Sequence, residues 1–262
     1  MTQIQLPAQL ESQVAAISTA LAAQHTSDHG IYALIDLAAS TETDAWLARL
    51  RKHRNALSLF AEQPEAAAPE QAPWLVQLLP EERLLKRSVV EALIANNTSW
   101  IVTSLDFKAL AARLSARLTA QLLPQQKTEA LFRYYDPRLF PGWWTSLTEE
   151  ERCCFGTFGH AWLYLDADLT LSTLTLLGIT PTDPVTTPWQ VTAGQLATLT
   201  LLSERHQLTD FLHKRQPDRF SMLSPGEQWA FVCREDEAAL AQQISGLADR
   251  LKHCERVLLQ QP

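Results

Sequence analysis

Short apolar runs alternate with helical periodicity through the first half of this 262-residue chain. The runs have the length and composition of buried strands, and they lie at 31–38, 56–60, 74–79, 99–105 and 129–135. The segments between them carry apolar residues at helical spacing, and they lie at 43–53, 81–96 and 106–123. Regular alternation of strand and helix is typical of an α/β fold. We therefore predict an N-terminal mixed or mostly parallel sheet with flanking helices.

The pattern changes in the second half of the chain. Two further strand patterns lie at 161–166 and 169–177. Prolines then become frequent at 179–192, which is typical of a linker. Beyond it, capping boxes at Thr192 and Ser224 begin helical patterns that continue almost to the end of the chain. The predicted organisation is an α/β lobe at 1–178, a proline-rich linker at 179–192 and a smaller α-helical C-terminal lobe at 193–262.

Composition excludes several classes of function. The net charge of −7 repels a phosphate backbone, so we predict no nucleic-acid partner. No run approaches the roughly 20 apolar residues that span a bilayer, and the first residues lack the basic start of a signal peptide. The four cysteines form no C-x-x-C pair and are typical of reduced thiols. We predict a cytoplasmic protein without a membrane partner.

Enzyme motifs are missing from the sequence. Glycine is scarce, at 8 residues, and there is no phosphate-binding glycine loop, no G-x-S-x-G and no H-E-x-x-H. Cys153 and Cys154 lack a convincing neighbouring base, and adjacent cysteines of this kind are usually core residues. His25 and His29 have no visible third metal ligand, so we interpret them as a solvated helix end. We predict no cofactor, no metal and no catalytic residue.

Three aspartates provide the main alternative. Asp36, Asp106 and Asp136 each follow a predicted strand. In a parallel sheet the carboxyl ends of strands meet at one edge, where carboxylates can hold a magnesium ion. A metal-dependent phosphoesterase is therefore one hypothesis. Against it, Asp106 stands where a helix cap belongs, and Asp136 precedes a proline and begins a turn.

The stretch LFRYYDPRLF concentrates charge around two tyrosines. Its candidate residues are Arg133, Tyr135, Asp136, Pro137 and Arg138. Because a residue before proline avoids helical conformation, the predicted strand ends at Asp136. Arginine grips carboxylates through a fork of hydrogen bonds, and Asp36 and Asp136 are the expected acceptors. We interpret the stretch as a structural network that fixes a loop, with anion or partner binding as the alternative.

Aromatic residues indicate where a partner could bind. The chain has eight tryptophans, and such residues either fill a core or anchor protein interfaces. We predict a partner surface in a groove between the two lobes, lined by the helix at 193–214 and by aromatics near 140–144. The candidate partner-binding residues are Trp143, Trp144, Trp189, His206, Phe211 and His213.

The chain resembles a known family. The segments YALIDLA, APWLVQL, WIVTSLDFKALAARLSARL and FRYYDPRLF occur in the order found in a domain-of-unknown-function family whose members act as bacterial type VI secretion effector chaperones, or adaptors. The resemblance covers about 30–165. Its signature positions here are Asp36, Pro73, Trp74, Arg133, Asp136, Pro137 and Arg138. One position departs from the pattern, because Leu37 stands where the family usually has a small residue.

The resemblance implies a binding function without chemistry. Family members load an effector onto the tip of the secretion spike, so the implied partners are an effector protein, through its N-terminal segment, and the spike protein. The implied role for the signature residues is to brace the scaffold. An immunity protein that blocks a toxin is a further alternative.

Overall fold

The computed structural model of the chain describes residues 8–80, 83–122, 128–180, 182–185 and 188–260. The strands are β1 (Gly30–Asp36), β2 (Ala56–Ser58), β3 (Pro73–Leu78), β4 (Thr98–Thr103), β5 (Thr119–Leu122), β6 (Thr128–Leu131), β7 (Ala161–Leu165), β8 (Leu171–Thr175) and β9 (Trp189–Val191). The helices are α1 (Ala8–Ala22), α2 (Thr43–Leu50), α3 (Arg83–Ala95), α4 (Phe107–Ser115), α5 (Phe140–Ser146), α6 (Glu149–Phe155), α7 (Ala193–Arg215), α8 (Pro217–Phe220), α9 (Pro225–Ala241) and α10 (Leu247–Gln260). Short 3-10 helices lie at Leu37–Ala39, Pro64–Ala67 and Pro69–Gln71. The fold is mixed α/β. In the described residues no helix has the length and apolarity required to cross a membrane.

The main sheet has six strands in the order β2-β3-β1-β4-β7-β8. All of its neighbouring pairs are antiparallel, so the prediction of a mostly parallel sheet is wrong. β3 and β4 run in the same direction and are joined through α3, which is the crossover that the alternation predicted. However, β1 lies between them and pairs antiparallel with both. Alternation along the chain does not reveal an inserted strand of this kind.

Both faces of the central strands are covered. Every residue of β4 is buried, as is every residue of β1 after Gly30. A strand that is buried on both faces has a continuous apolar sequence, without the alternation of a half-exposed strand. Residues 31–35 of β1 form such a run, and all five are buried. This explains why the runs resembled parallel strands. Continuous burial indicates cover on both faces and says nothing of strand direction.

A second sheet has the order β6-β5-β9 among the described residues. β5 lies at the end of the helix predicted at 106–123, and β6 covers only the first residues of the strand predicted at 129–135. α4 ends at Ser115 because Leu118 and Ala120 are buried at the two-residue spacing of a strand. The apolar stripe at 114, 118 and 122 fits both periodicities, so helical spacing misled the prediction for 116–123. β6 ends at Leu131, before the charged signature.

The predicted linker is fixed to the α/β lobe. β9 pairs in parallel with β5, and Asp183 accepts a fork of hydrogen bonds from Arg117 at 2.7 and 2.9 Å. The Arg117 side chain is fully buried, with its guanidinium over the rings of Phe155 and Phe158 at 5.3 and 5.1 Å. The proline-rich composition therefore marks an irregular segment that is held in place.

The helical lobe has its own core. The predicted capping boxes at Thr192 and Ser224 are both present and begin α7 and α9. The pattern predicted from 225 to 259 is divided into α9 and α10, with Gln243 in left-handed backbone conformation between them. The buried core residues are Leu208, Leu212, Phe220, Phe231, Val232, Leu251, Cys254 and Leu258. Asp236 is fully buried between Arg205 and Arg250, at 3.0 and 2.7 Å.

The tryptophan pair lies in an aromatic core. Trp143, Trp144 and Trp189 are all buried, in contact with rings that include Phe140 and Phe155. These three tryptophans were predicted as partner-binding residues, and the structure instead places them in the core, where the protein itself covers their rings. Burial of large aromatic area stabilises the join between the two sheets.

Candidate functional site

Asp36 and Arg133 form the first charged pair of the signature. Asp36 ends β1, and its carboxylate accepts a hydrogen bond from the backbone N–H of Ala38 at 3.2 Å, which caps the following 3-10 helix. Its second oxygen accepts from Nη2 of Arg133 at 2.6 Å. Leu37, the departure from the family pattern, is fully buried and starts that helix. The pair ties the end of β1 to the signature stretch.

The exposure of the two partners differs. The Asp36 side chain is 1% exposed, whereas that of Arg133 is 44% exposed. The guanidinium of Arg133 lies 5.8 Å from the ring centroid of Tyr135, which is itself buried. Burial, followed by the charge of Asp36, raises the pKa of Tyr135 far above its ordinary value, so its phenol stays protonated.

Asp136 and Arg138 form the second pair. Asp136 accepts three hydrogen bonds from Arg138: from the backbone N–H at 3.0 Å, from Nε at 2.9 Å and from Nη2 at 2.7 Å. The backbone carbonyl of Asp136 also accepts from the N–H of Phe140, at the start of α5. The pair therefore fixes the turn through Pro137 that leads α5 into the aromatic core. The predicted Arg–Asp network, with Asp36 and Asp136 as acceptors, is confirmed.

The pKa values of the two carboxylates are displaced in opposite directions. Burial raises the pKa of Asp36 above its ordinary value, and the nearby charge of Arg133 offsets this only in part. Burial would also raise the pKa of Asp136, but the hydrogen bonds and charge of Arg138 outweigh it, so the pKa is lowered. Asp36, with one arginine nitrogen and the charge of Asp136 nearby, thus has a raised pKa, and Asp136, held by two side-chain nitrogens of Arg138, has a lowered one.

Trp74 completes the described signature. In the β1–β3 register Trp74 lies opposite Ile35, and Pro73 lies opposite Asp36. Trp74 is buried and donates from Nε1 to the carbonyl of Pro69 at 3.0 Å. The two segments of the resemblance that contain Asp36 and Trp74 are therefore neighbours in space, and they support the same corner of the sheet.

The three aspartates of the metal hypothesis do not meet. β1 and β4 are antiparallel, with Gly30 opposite Thr103. The carboxyl end of β4, which Asp106 follows, therefore lies beside the start of β1, whereas Asp36 lies at the other end of β1. Asp106 caps α4 by accepting from the N–H of Ala109 at 2.8 Å. Within the described part of the chain no group of three His, Cys, Asp or Glu residues is placed to hold a metal. The metal hypothesis assumed that the carboxyl ends of the strands lie together, and the antiparallel topology separates those of β1 and β4.

The other histidine and cysteine candidates lie elsewhere. His25 and His29 follow the end of α1, and the His29 ring contacts His160 with centroids 4.4 Å apart. Cys153 is exposed and Cys154 half-buried, both on α6. No local pattern predicts that His160 approaches His29, because most of the sequence of the α/β lobe lies between them.

A cleft of about 430 Å³ lies beside the second pair, between the α/β lobe and the helical lobe. Its apolar lining includes Pro137, Pro141, Leu165, Leu202 and Trp229. Its polar lining includes Arg138, Tyr164 and His206. Gly142 allows α5 and α7 to approach closely, since an added Cβ would lie 2.5 Å from Cδ1 of Leu202. The signature turn thus forms one wall of the cleft.

His206 connects the two lobes at this cleft. Its Nε2 lies 3.2 Å from the carbonyl oxygen of Arg138, so its N–H donates to the signature turn. Its ring stacks on Trp229, with centroids 4.4 Å apart. Burial, together with the charge of Arg138, lowers the pKa of His206, which favours the neutral ring. A neutral imidazole retains a hydrogen bond to the turn and presents an apolar face to the cleft.

Of the six predicted partner-binding residues, only His206 lines this cleft. Phe211 is 37% exposed further along α7, and His213 packs edge-on against Phe220. Trp229 and Tyr164 were missed. The surplus of tryptophans was a signal for Trp229, but it did not distinguish that residue from the buried ones.

The structure is thus that of a mixed α/β protein with a C-terminal helical lobe, and the apolar cleft lies between the α/β lobe and the helical lobe. Comparison with family models adds that residues 31–154 match the family described as Domain of unknown function (DUF4123). The match extends from β1 through α6, includes both charged pairs, and leaves the helical lobe outside. Comparisons with curated proteins and with solved structures gave no match.

Proposed function

We propose that this chain is a non-catalytic adaptor that binds a type VI secretion effector and promotes its loading onto the secretion spike. Two lines of support are the family match over 31–154 and the resemblance at the FRYYDPR signature. The observation that carries the proposal is that the signature charges are satisfied within the chain, as one wall of an apolar cleft. A braced cleft is suited to binding, whereas a catalytic site needs groups that remain available to substrate.

The titratable groups of the cleft are engaged in structure. Arg138 is held by Asp136, and His206 is bonded to the backbone and stacked on Trp229. Asp166 accepts hydrogen bonds from the N–H groups of Asp168 and Thr170 and from the hydroxyl of Ser172. These contacts favour a structural role for each group over general acid–base catalysis.

The size and lining of the cleft indicate what it would hold. A volume of about 430 Å³ accommodates a few side chains of one polypeptide segment. The lining residues Leu202, Trp229 and Tyr164 favour apolar or aromatic anchors at its centre. We therefore propose that the N-terminal segment of the effector inserts apolar side chains between the lobes.

Co-expression with a candidate type VI effector from the same genome tests the proposal. We expect one stoichiometric complex on size exclusion, and we expect Trp229→Ala to weaken it at least tenfold by removing the ring beneath His206. Phe211→Ala is the matched control, because it removes an exposed aromatic outside the cleft lining. Separate peaks at micromolar concentration, or equal loss in both variants, would contradict the proposal.

A second measurement separates the adaptor from an immunity protein. The toxin activity of the purified complex is compared with that of the free effector. We expect activity to remain, since the proposed contact is with a loading segment. Complete inhibition at one-to-one stoichiometry would favour the immunity function instead.

A further inference from the structure

β8 is a free edge of the six-stranded sheet. It pairs with β7 on one side, and in the described residues no strand pairs with it on the other. The opposite edge is β2, which has three residues and leads directly into the segment of short 3-10 helices at Pro64–Ala67 and Pro69–Gln71. β2 is therefore very short, and a very short edge strand is one common way of protecting an edge. β8 is longer, with five residues.

The direction of the β8 backbone groups follows from its ladder with β7. The N–H of Leu176 donates to His160 at 2.9 Å, and the carbonyl of Thr170 accepts from Asp166 at 3.0 Å. In an antiparallel pair alternate residues face the partner strand, so the even-numbered residues of β8 are those bonded to β7. The N–H and C=O groups of Leu171, Thr173 and Thr175 consequently point away from the sheet.

The sequence of this edge carries no device against pairing. Charged residues make up 19% of the chain, yet none stands between Asp168 and Asp183, and the first proline of that interval is Pro181. Natural edge strands are usually blunted by lysine, proline or a bulge. Thr173 and Thr175 are exposed, and Leu177, just beyond the strand, is 54% exposed. Its outer side is thus unpaired by any strand in the described part of the chain, and the strand is neutral and rich in residues that favour β structure.

We propose that β8 pairs antiparallel with β8 of a second copy of this chain, about a two-fold axis at Thr173. In this register Thr173 faces its own counterpart, and Leu171 faces Thr175 of the other copy. The three outward-pointing residues of each strand then exchange their N–H···O=C bonds. Two six-stranded sheets become one continuous sheet across the axis.

Neutrality favours a second copy as the occupant. About a two-fold axis at Thr173, that residue faces its own counterpart, so a charge at the centre of β8 would repel itself. The strand carries none, and its central threonine forms a favourable cross-strand pair with another threonine. A partner recognised through opposite charge would find no charge here to recognise. Ordinary homodimers use such self-complementary surfaces.

The dimer is expected to be weak and sensitive to salt. One added strand pair buries a small area, which places it in the class of transient contacts. Each copy carries a net charge of −7, so the two copies repel at a distance. Added salt screens this repulsion without affecting the backbone hydrogen bonds. Association should therefore strengthen as the ionic strength rises.

Sedimentation velocity over a concentration series tests the proposal on the full-length protein. We expect the mass to rise from 29.4 kDa towards twice that value with concentration, and more readily at higher salt. Thr173→Pro removes the outward N–H and should keep the protein monomeric. Thr173→Val keeps the N–H and the branched side chain, and it should dimerise like the natural chain.

A second variant protects the test against misfolding. Thr173→Lys places like charges on the axis while leaving the backbone unchanged, and it should also stay monomeric, with an unchanged circular dichroism spectrum. A natural chain that remains at 29.4 kDa at the highest concentration would overturn the proposal. Dimerisation of both Thr173→Pro and Thr173→Lys to the natural extent would overturn it as well.

Discussion

The two arginine–aspartate pairs of the signature lie close together and behave differently. Asp136 is held by three hydrogen bonds from Arg138, whereas Asp36 receives one from Arg133 and one from the backbone of Ala38. Both carboxylates are buried. Yet the pKa of Asp136 is lowered and that of Asp36 is raised, because burial is outweighed in the first pair and prevails in the second.

The comparison shows that an arginine–aspartate pair in a sequence motif does not by itself fix the direction in which the pKa of the aspartate moves. Geometry decides it, through the number of donors aimed at the carboxylate and the exposure of the arginine. Arg138 is 26% exposed in its side chain and Arg133 is 44% exposed, so water competes more strongly for Arg133. The Arg138 pair is expected to be the stronger anchor of the cleft.

The largest expected effect is that of Arg138→Ala. It leaves the buried carboxylate of Asp136 without its fork, and breaking a buried pair in this way costs about 3–5 kcal/mol. Urea unfolding followed by fluorescence gives the loss of stability. Arg138→Lys is the control, since it keeps a positive charge and loses the fork of hydrogen bonds. Its free energy of unfolding should lie between those of the natural chain and Arg138→Ala. A loss below about 1 kcal/mol would place this pair with ordinary surface salt bridges.

Arg133→Ala should cost less, about 1–2 kcal/mol, because water can approach the exposed side and the Asp36 carboxylate can take up a proton. The same urea titration compares it directly with Arg138→Ala. We expect the variant to keep its affinity for the effector while it remains folded. A stable Arg133→Ala protein that fails to bind would move Arg133 from the scaffold into the binding surface.

The pH dependence of stability should separate the two aspartates by sign. The lowered pKa of Asp136 means that its contribution is present above the ordinary value of 3.8 and is lost as pH falls through its folded pKa. The raised pKa of Asp36 means that its contribution is present below 3.8 and is lost as pH rises through its folded pKa. Lowering the pH towards 3.8 should therefore stabilise the folded protein, because Asp36 takes up a proton. Lowering the pH further should destabilise it, because Asp136 then takes up a proton.

Asparagine variants isolate each contribution. Urea unfolding across the acid range is compared for the natural chain, Asp36→Asn and Asp136→Asn. In each variant the free energy of unfolding should lose the pH dependence that the replaced carboxyl group contributes to the natural chain. Identical pH profiles for the two variants would show that the pairs do not differ as the geometry indicates.

The smallest effect on stability is expected for His206→Gln, about 1 kcal/mol or less, since glutamine can still donate to the Arg138 carbonyl. Effector affinity should fall more than stability does, because the stacked face against Trp229 is lost. Calorimetric titration with the effector, beside urea unfolding, measures both. Equal losses in stability and binding would indicate that His206 only holds the lobes together.

Much of the local structure was predictable from the sequence. The capping boxes at Thr192 and Ser224 define helix starts through residues three apart, so they do not depend on tertiary context. The Arg–Asp network was predictable because buried guanidinium and carboxylate groups have few other ways to be satisfied. Strand positions such as β1 and β4 were predictable from apolar runs bounded by polar residues.

Other features needed distant segments. The antiparallel order of the sheet depends on β1 lying between β3 and β4, which no local pattern encodes. The tryptophans at 143, 144 and 189 gave no sign of being buried, since an anchor and a core residue have the same side chain. The cleft itself combines residues of α5, α7 and α9 with the loop after β7.

The sequence by itself determined the positions of strands such as β1 and β4, the residues at which α7 and α9 begin, and which charged residues would pair. These properties follow from spacing and side-chain chemistry over a few residues. Only the tertiary structure decided strand direction, the burial of the aromatic residues, the opposite pKa directions of Asp36 and Asp136, and the contact of His206 with Arg138. Those properties depend on what lies across several ångströms of space, and neighbours in space are chosen by the packing of the whole chain.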